Sequence, residues 1–159
     1  MTDYRALIEA LALNHVGFII VGGAAAVAHG SSRLTDDLDI VYEREKNNVG
    51  RLVRALAPLQ PYLRGVPAGL PFTWDEATIW RGLNFTLTTA VGSIDLLGEI
   101  TLGGNYDELV PYSVQLHIFG HECFCLGLKR LIEVKRAAGR PKDLEVIAEL
   151  EAILEERNR

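Results

Sequence analysis

Asp37 and Asp39 stand two residues apart in the segment Asp37-Leu38-Asp39-Ile40-Val41, alternating with apolar side chains. On a strand, whose side chains repeat with period two, both carboxylates leave one face while Leu38 and Ile40 leave the other. Adjacent carboxylates repel unless a cation lies between them. Mg²⁺ is the expected guest, because it takes oxygen ligands and is commonly held by one or two carboxylates together with substrate phosphates. Upstream, the apolar run Phe18-Ile19-Ile20-Val21 stops at Gly22-Gly23, where backbone without Cβ atoms can approach a ligand closely. The short side chains that follow predict a helix starting just after Gly23, its first N–H groups directed beyond the strand in an arrangement suited to phosphate. A polar turn with Ser31, Ser32, Arg33 and Thr35 then leads into the acidic strand.

The remaining elements must position these groups. Tyr4, Leu7, Ile8, Leu11 and Leu13 recur at near-helical spacing and predict an amphipathic helix over residues 3–15. A second helix is predicted from Glu43 to Ala57, carrying Val49, Leu52, Val53 and Leu56 inward and ending at Pro58. Leu59 to Leu70, with Pro61, Gly65, Pro67 and Gly69, reads as a long loop, and long loops beside active sites are often functional. The stretch from Phe72 to Gly82 predicts a short helical turn. Asn84–Ala90 and Ser93–Leu97 read as a hairpin joined at Val91-Gly92. Asp95 lies inside the second of these strands between Ile94 and Leu96, where an unpaired carboxylate is costly. Gly98 to Asp107 reads as a loop, and Ser113–Ile118 and Glu122–Leu126 as two more strands. Two closing helices are predicted at Leu128–Ala138 and Lys142–Glu156, with Gly139 as the stop of the first and Pro141 near the start of the second. On the first of them Leu128, Leu131, Lys135 and Ala138 share one face, which turns Lys135 inward with apolar neighbours.

The succession of strand, glycine pair, small helix and R-x-T-x-D-L-D-I resembles the core pattern of the DNA polymerase β-type nucleotidyltransferase superfamily: Gly-Gly or Gly-Ser, about a dozen residues, then Asp-x-Asp between apolar residues. The C-terminal run with Lys135, Arg140 and Asp143 is similar to the helix pair of small bacterial members, including the AbiEii-type toxin group. The likeness covers both ends of the chain, and the middle matches through Asp95. It implies an α/β (α+β) fold with a minimal nucleotidyltransferase core, a short mixed sheet flanked by helices, and a C-terminal helix pair. The expected organisation is a single domain over 1–159, with a catalytic core over 1–125 and the helix pair over 126–159.

By resemblance, Asp37, Asp39 and Asp95 are the catalytic and metal-ligating acids, holding two Mg²⁺ ions with Mn²⁺ as the alternative metal. Gly22 and Gly23 would admit the β- and γ-phosphates of an NTP. Arg33, Lys135 and Arg140, and more weakly Lys129, would neutralise its charge. Some superfamily members carry a serine after the first glycine; here Gly23 stands there, so backbone N–H groups, Ser31 or Ser32 would have to supply that contact. The implied reaction is transfer of an NMP to an acceptor hydroxyl with release of pyrophosphate. The acceptor stays open among tRNA, a protein and a small molecule. The alternative is a catalytically weak or inactive binding module of this fold, acting through a partner protein as one half of a toxin–antitoxin pair.

Composition bounds these readings. Hydrophobic residues make up 48% and charged residues 23%, as in soluble globular proteins. No apolar run reaches membrane-spanning length and the N-terminus lacks a signal-peptide pattern, so a cytoplasmic protein without a membrane role is expected. A net charge of −5 argues against a general nucleic-acid coat, although Lys129–Lys142 is locally basic. Cys123 and Cys125, at alternate positions of one strand, are expected as buried reduced thiols.

Overall fold

The computed structural model describes residues 1–159. Helix α1 (Tyr4–Leu13) precedes strand β1 (Phe18–Val21), the short helix α2 (Gly22–Ala28) and strand β2 (Asp37–Tyr42). Helix α3 (Lys46–Leu56) runs on into a 3-10 turn (Ala57–Leu59), followed by β3 (Tyr62–Leu63), α4 (Glu76–Arg81), β4 (Phe85–Thr89) and β5 (Gly92–Leu97). A small hairpin of β6 (Glu99–Ile100) and β7 (Gly104–Asn105) leads through α5 (Tyr106–Leu109) to β8 (Ser113–Ile118) and β9 (His121–Leu126). Helices α6 (Leu128–Ala138) and α7 (Pro141–Arg157) close the chain.

Seven strands form one mixed sheet in the order β3-β4-β5-β2-β1-β9-β8. The middle of this sheet decides the site. β1 and β2 are antiparallel, and β2 runs parallel to β5 with Asp37 opposite Ser93 and Asp39 opposite Asp95. That register is fixed from the reverse face, where Leu38, Ile40, Ile94 and Leu96 are fully buried. Slipping β2 by one residue would drive its aspartates into the core. A single apolar cluster extends from α1 and the central strands to Leu131 and Ile132 of α6 and Val146, Ile147 and Leu150 of α7. No helix is long and apolar enough to cross a membrane.

Several boundaries differ from the sequence expectation. Helix α2 begins at Gly22, two residues earlier than predicted, because Gly22 takes φ +62° and turns the chain directly out of β1. Pro58 does not stop the chain's helical path; it sits inside the 3-10 turn, whose early positions tolerate a residue without an N–H. Leu13 is 68% exposed and belongs to the outer face of α1. The expected loop 59–70 contains β3, which joins the sheet edge through Tyr62–Thr88 and Leu63–Leu87, and the loop 98–107 contains the β6–β7 hairpin. Gly139 ends α6 in the left-handed conformation, as its position suggested. Cys123 and Cys125 are buried free thiols.

Asn48, fully buried on α3, closes the end of the β1–β2 pair remote from the aspartates. Its Oδ1 accepts the Gly17 N–H at 2.6 Å, and its Nδ2 donates to the carbonyls of Gly17 (3.1 Å) and Glu43 (2.8 Å). Removing the amide leaves backbone groups unpaired in a dry setting. Asn48→Ala should therefore lower the unfolding free energy by about 3 kcal/mol, read as a drop in urea midpoint without a change in slope.

Candidate active site

The site lies at the end of the sheet where β1 stops and β2 and β5 begin. Asp37 and Asp39 project from the same face of β2, and Asp95 projects beside Asp39 from β5. Far from sitting on a sheet edge, Asp95 belongs to an interior strand flanked by β2 and β4. Oδ1 of Asp39 and Oδ1 of Asp95 are both buried without a hydrogen bond. Burial, then the charge and hydrogen-bonding contact of Asp95, then the charge of Asp37, push the Asp39 carboxyl up to about 7, with Lys142 opposing. A buried carboxyl raised by its surroundings and by neighbouring carboxyls is a place where a cation would be stabilised. These orphaned oxygens are chemically suited to Mg²⁺.

The three acids do not converge on one point, and no cluster of three or more His, Cys, Asp or Glu is in ligating geometry. Arg64, directly after β3, reaches two of them. Its Nη2 lies 2.9 Å from Asp95 Oδ1 and its Nη1 lies 3.7 Å from Asp37 Oδ1. Nη2 also donates to the carbonyls of Leu87 (2.6 Å) and Ile94 (3.3 Å). No local motif marks this residue. Only the pairing of β3 with β4 carries it over the acids.

The glycine pair has a reason visible in the packing. A Cβ on Gly22 would stand 2.1 Å from Asp39 Oδ2, and one on Gly23 would stand 2.8 Å from Thr35 Oγ1. Both glycines thus let α2 lie hard against the acidic strand and its leading turn. That turn is anchored from the N-terminus as well: the Thr2 hydroxyl donates to the Asp36 carbonyl and the Tyr4 hydroxyl to the Thr35 carbonyl.

Opposite the acids stand the cations of α6 and α7. Lys135 is 7% exposed, and its Nζ lies 3.8 Å from Asp143 Oδ1. Arg140 grips Asp143 with two N–H groups, Nε to Oδ2 at 2.6 Å and Nη2 to Oδ1 at 3.1 Å. Burial pushes the Asp143 carboxyl up, but the Arg140 hydrogen bond and charge and the Lys135 charge outweigh it and hold it below the usual range. Burial is also the main reason why the Lys135 ammonium is lowered, against the attraction of Asp143. Asp143 therefore orients two cations at once. Lys142 completes the basic wall.

The cleft has two lobes that share Gly22, Asp39, Asp95, Lys135, Arg140 and Asp143. One, of about 340 Å³, is polar and adds Gly23, Thr35, Asp36, Asp37 and Lys142. The other, of about 460 Å³, is half apolar, with Leu97, Ile100, Leu131, Val134 and Ala138 beside Glu99.

Four expected phosphate contacts are placed differently. Ser31 and Ser32 donate their hydroxyls to Glu149 at 2.5 and 2.8 Å, and the Ser32 N–H donates to the same carboxylate. Arg33, on the rim of the polar lobe, spends its guanidinium on Glu145 at 3.0 Å. These residues tie the turn before β2 to α7 because that helix presents two acids one turn apart. Lys129 lies in a separate hollow with Tyr112, Arg130 and Glu133, away from the acids.

The elevated Asp39 carboxyl implies a pH dependence with a defined sign. Its folded pKa lies above its unfolded value of 3.8, so the native state binds that proton more tightly. The associated stability is complete below about pH 4 and is lost as pH rises through 7. In chelator-treated protein, Asp39→Asn should be about 2 kcal/mol more stable than wild type at pH 8, a value discounted for the water that reaches the cleft. The gap should close toward pH 4, as read by urea unfolding at each pH.

No protein-family model matches the sequence, and no curated protein matches it. Solved structures do match its fold. The crystal structure of the lincosamide antibiotic adenylyltransferase LnuA, lincomycin-bound, is 15% identical and superposes with a TM-score of 0.60, covering 96% of this chain and 98% of that one. The crystal structure of ANT(2″)-Ia with adenylyl-2″-tobramycin is 14% identical with a TM-score of 0.56, covering 94% and 91% of the two chains. The solution structure of the antibiotic-resistance factor ANT(2″)-Ia gives 14% identity, a TM-score of 0.53 and coverages of 97% and 90%. At this identity the likeness concerns the fold: an α+β nucleotidyltransferase-like architecture built on a mixed seven-stranded sheet.

Proposed function

We propose that the protein transfers an NMP from an NTP to a hydroxyl of a small-molecule acceptor, with a divalent cation held by Asp37, Asp39 and Asp95. One observation carries this reading: the acidic face formed by β2 and β5 looks across a single cleft at Lys135, Arg140 and Lys142, so the same site offers groups for a cation and for polyphosphate. The fold shared with nucleotidyltransferases supports it.

Phosphoryl transfer leaves the protein mostly positioning and charge neutralisation to do. The triphosphate belongs in the polar lobe, beside Gly22 and Gly23 and against the cations of α6 and α7. The acceptor belongs in the half-apolar lobe, where Leu97, Ile100 and Val134 fit a hydrocarbon body and Glu99 suits a positively charged group. The lincomycin-bound neighbour and the neighbour in complex with adenylyl-2″-tobramycin support a small-molecule acceptor. The acceptor oxygen attacks the α-phosphorus while the bond to the αβ-bridging oxygen breaks. The hydroxyl proton passes to a carboxylate oxygen of Asp95, and pyrophosphate leaves along the basic wall. A bound divalent cation supplies charge neutralisation at the transferring phosphoryl group.

Incubation with α-labelled NTPs, Mg²⁺ and a panel of hydroxylated aminoglycoside and lincosamide acceptors should yield labelled acceptor and pyrophosphate. Asp39→Asn should lower this turnover by about 10³-fold or more while the thermal unfolding profile stays cooperative. Wild-type turnover in that variant would exclude the mechanism. NTP binding without pyrophosphate release over the whole panel would favour the non-catalytic module instead.

A further inference from the structure

The guanidinium that bridges Asp37 and Asp95 has chemistry of its own. Arg64 is the cation in ion-pair contact with Asp37 and Asp95; of the other basic groups near the cleft, Lys135 and Arg140 pair with Asp143 and Arg33 with Glu145, while Lys142 stands on the opposite wall. We infer that Arg64 is a built-in placeholder that sets the divalent-cation affinity of the site. It holds Asp37 and Asp95 in the metal-free protein, and both contacts must break before the two acids can turn to a metal. This rests on the proposed function only in taking the acids to be cation ligands.

Three features point to replacement rather than a permanent bridge. An arginine built for a carboxylate normally grips it with two parallel N–H groups. Arg64 instead spans two acids with one contact each, at 2.9 and 3.7 Å. Its Nε is buried without a partner, and Asp95 Oδ1, despite its nearness, receives no aligned hydrogen bond. The contact is therefore electrostatic and incompletely paired, the kind a doubly charged ion outcompetes.

A path for withdrawal is also present. The carbonyls of Leu87 and Ile94 hold Nη2, so a tilt of the guanidinium about that atom lifts Nη1 from Asp37, and Asp95, whose Oδ1 accepts no aligned hydrogen bond from Nη2, can turn away from it. The Arg64 side chain is 28% exposed, and the next residue, Gly65, takes φ +79° with open space where a Cβ would be. The Arg64 N–H stays bonded to the Thr86 carbonyl at 2.9 Å, which keeps the backbone in the sheet while the side chain moves.

If the Arg64-closed arrangement occupies about nine-tenths of the metal-free protein, the apparent cation affinity is weakened about tenfold. Titration calorimetry with Mn²⁺, without any nucleotide, should thus show Arg64→Gln binding about tenfold more tightly than wild type. In wild-type protein, saturating Mn²⁺ should speed modification of Arg64 by phenylglyoxal, followed by mass spectrometry of the peptide containing it. This second measurement stands whether or not the variant folds. Equal or weaker Mn²⁺ binding by Arg64→Gln, or Arg64 labelling that Mn²⁺ leaves unchanged, overturns the placeholder and leaves the transfer reading intact. Absence of Mn²⁺ binding in both proteins takes both readings down.

Discussion

The parallel pairing of β2 with β5 sets Asp39 directly beside Asp95, with Asp37 one pleat away, and this concentration of like charge constrains everything around it. Left alone, such a cluster would favour a slipped or splayed sheet. It persists because the opposite face of the same strands is apolar and fully buried, so the core enforces a register the charges resist. The remaining strain is relieved by monovalent means: Asp39 retains a proton up to about pH 7, and Arg64 lies across the other two acids. Neither satisfies every lone pair, as the orphaned oxygens of Asp39 and Asp95 show.

The glycine pair belongs to the same constraint. Any side chain at Gly22 would collide with the Asp39 carboxylate, and its left-handed backbone would be strained by a Cβ in any case. Close approach of α2 to β2 walls the polar lobe with backbone, which is what a polyphosphate needs. Steric fit to the acid and access for a ligand are two consequences of one missing atom.

How far the sequence could be read depended on how local each cause was. The alternation in Asp37-Leu38-Asp39-Ile40 and in Ile94-Asp95-Leu96 repeats over a few residues, so strands, faces and acids were legible. Lys135 was legible from helical spacing, and the same spacing separates it from Lys129: six residues turn an α-helix to a position about 120° away. That signal was present and outweighed by charge counting. Ser31, Ser32 and Arg33 could not be assigned, because their partners Glu145 and Glu149 lie more than a hundred positions along the chain. Arg64 was hidden twice over. Its two-residue strand has too little pattern to detect, and its position over the acids is set by two successive antiparallel pairings. The β6–β7 hairpin escaped for the first of these reasons.

The distribution of charge across the cleft narrows what can fill it. Asp143 is one carboxylate serving two cations, so α6 and α7 retain an excess of positive charge, which Lys142 increases. The sheet side carries the opposite excess. A simple anion would meet repulsion from the acids, and a bare cation would leave the basic wall uncompensated. A polyphosphate carrying a divalent ion matches both sides together, its metal toward β2 and β5 and its phosphates toward α6 and α7. Under the proposed function, this two-sided charge pattern is what would select the ligand.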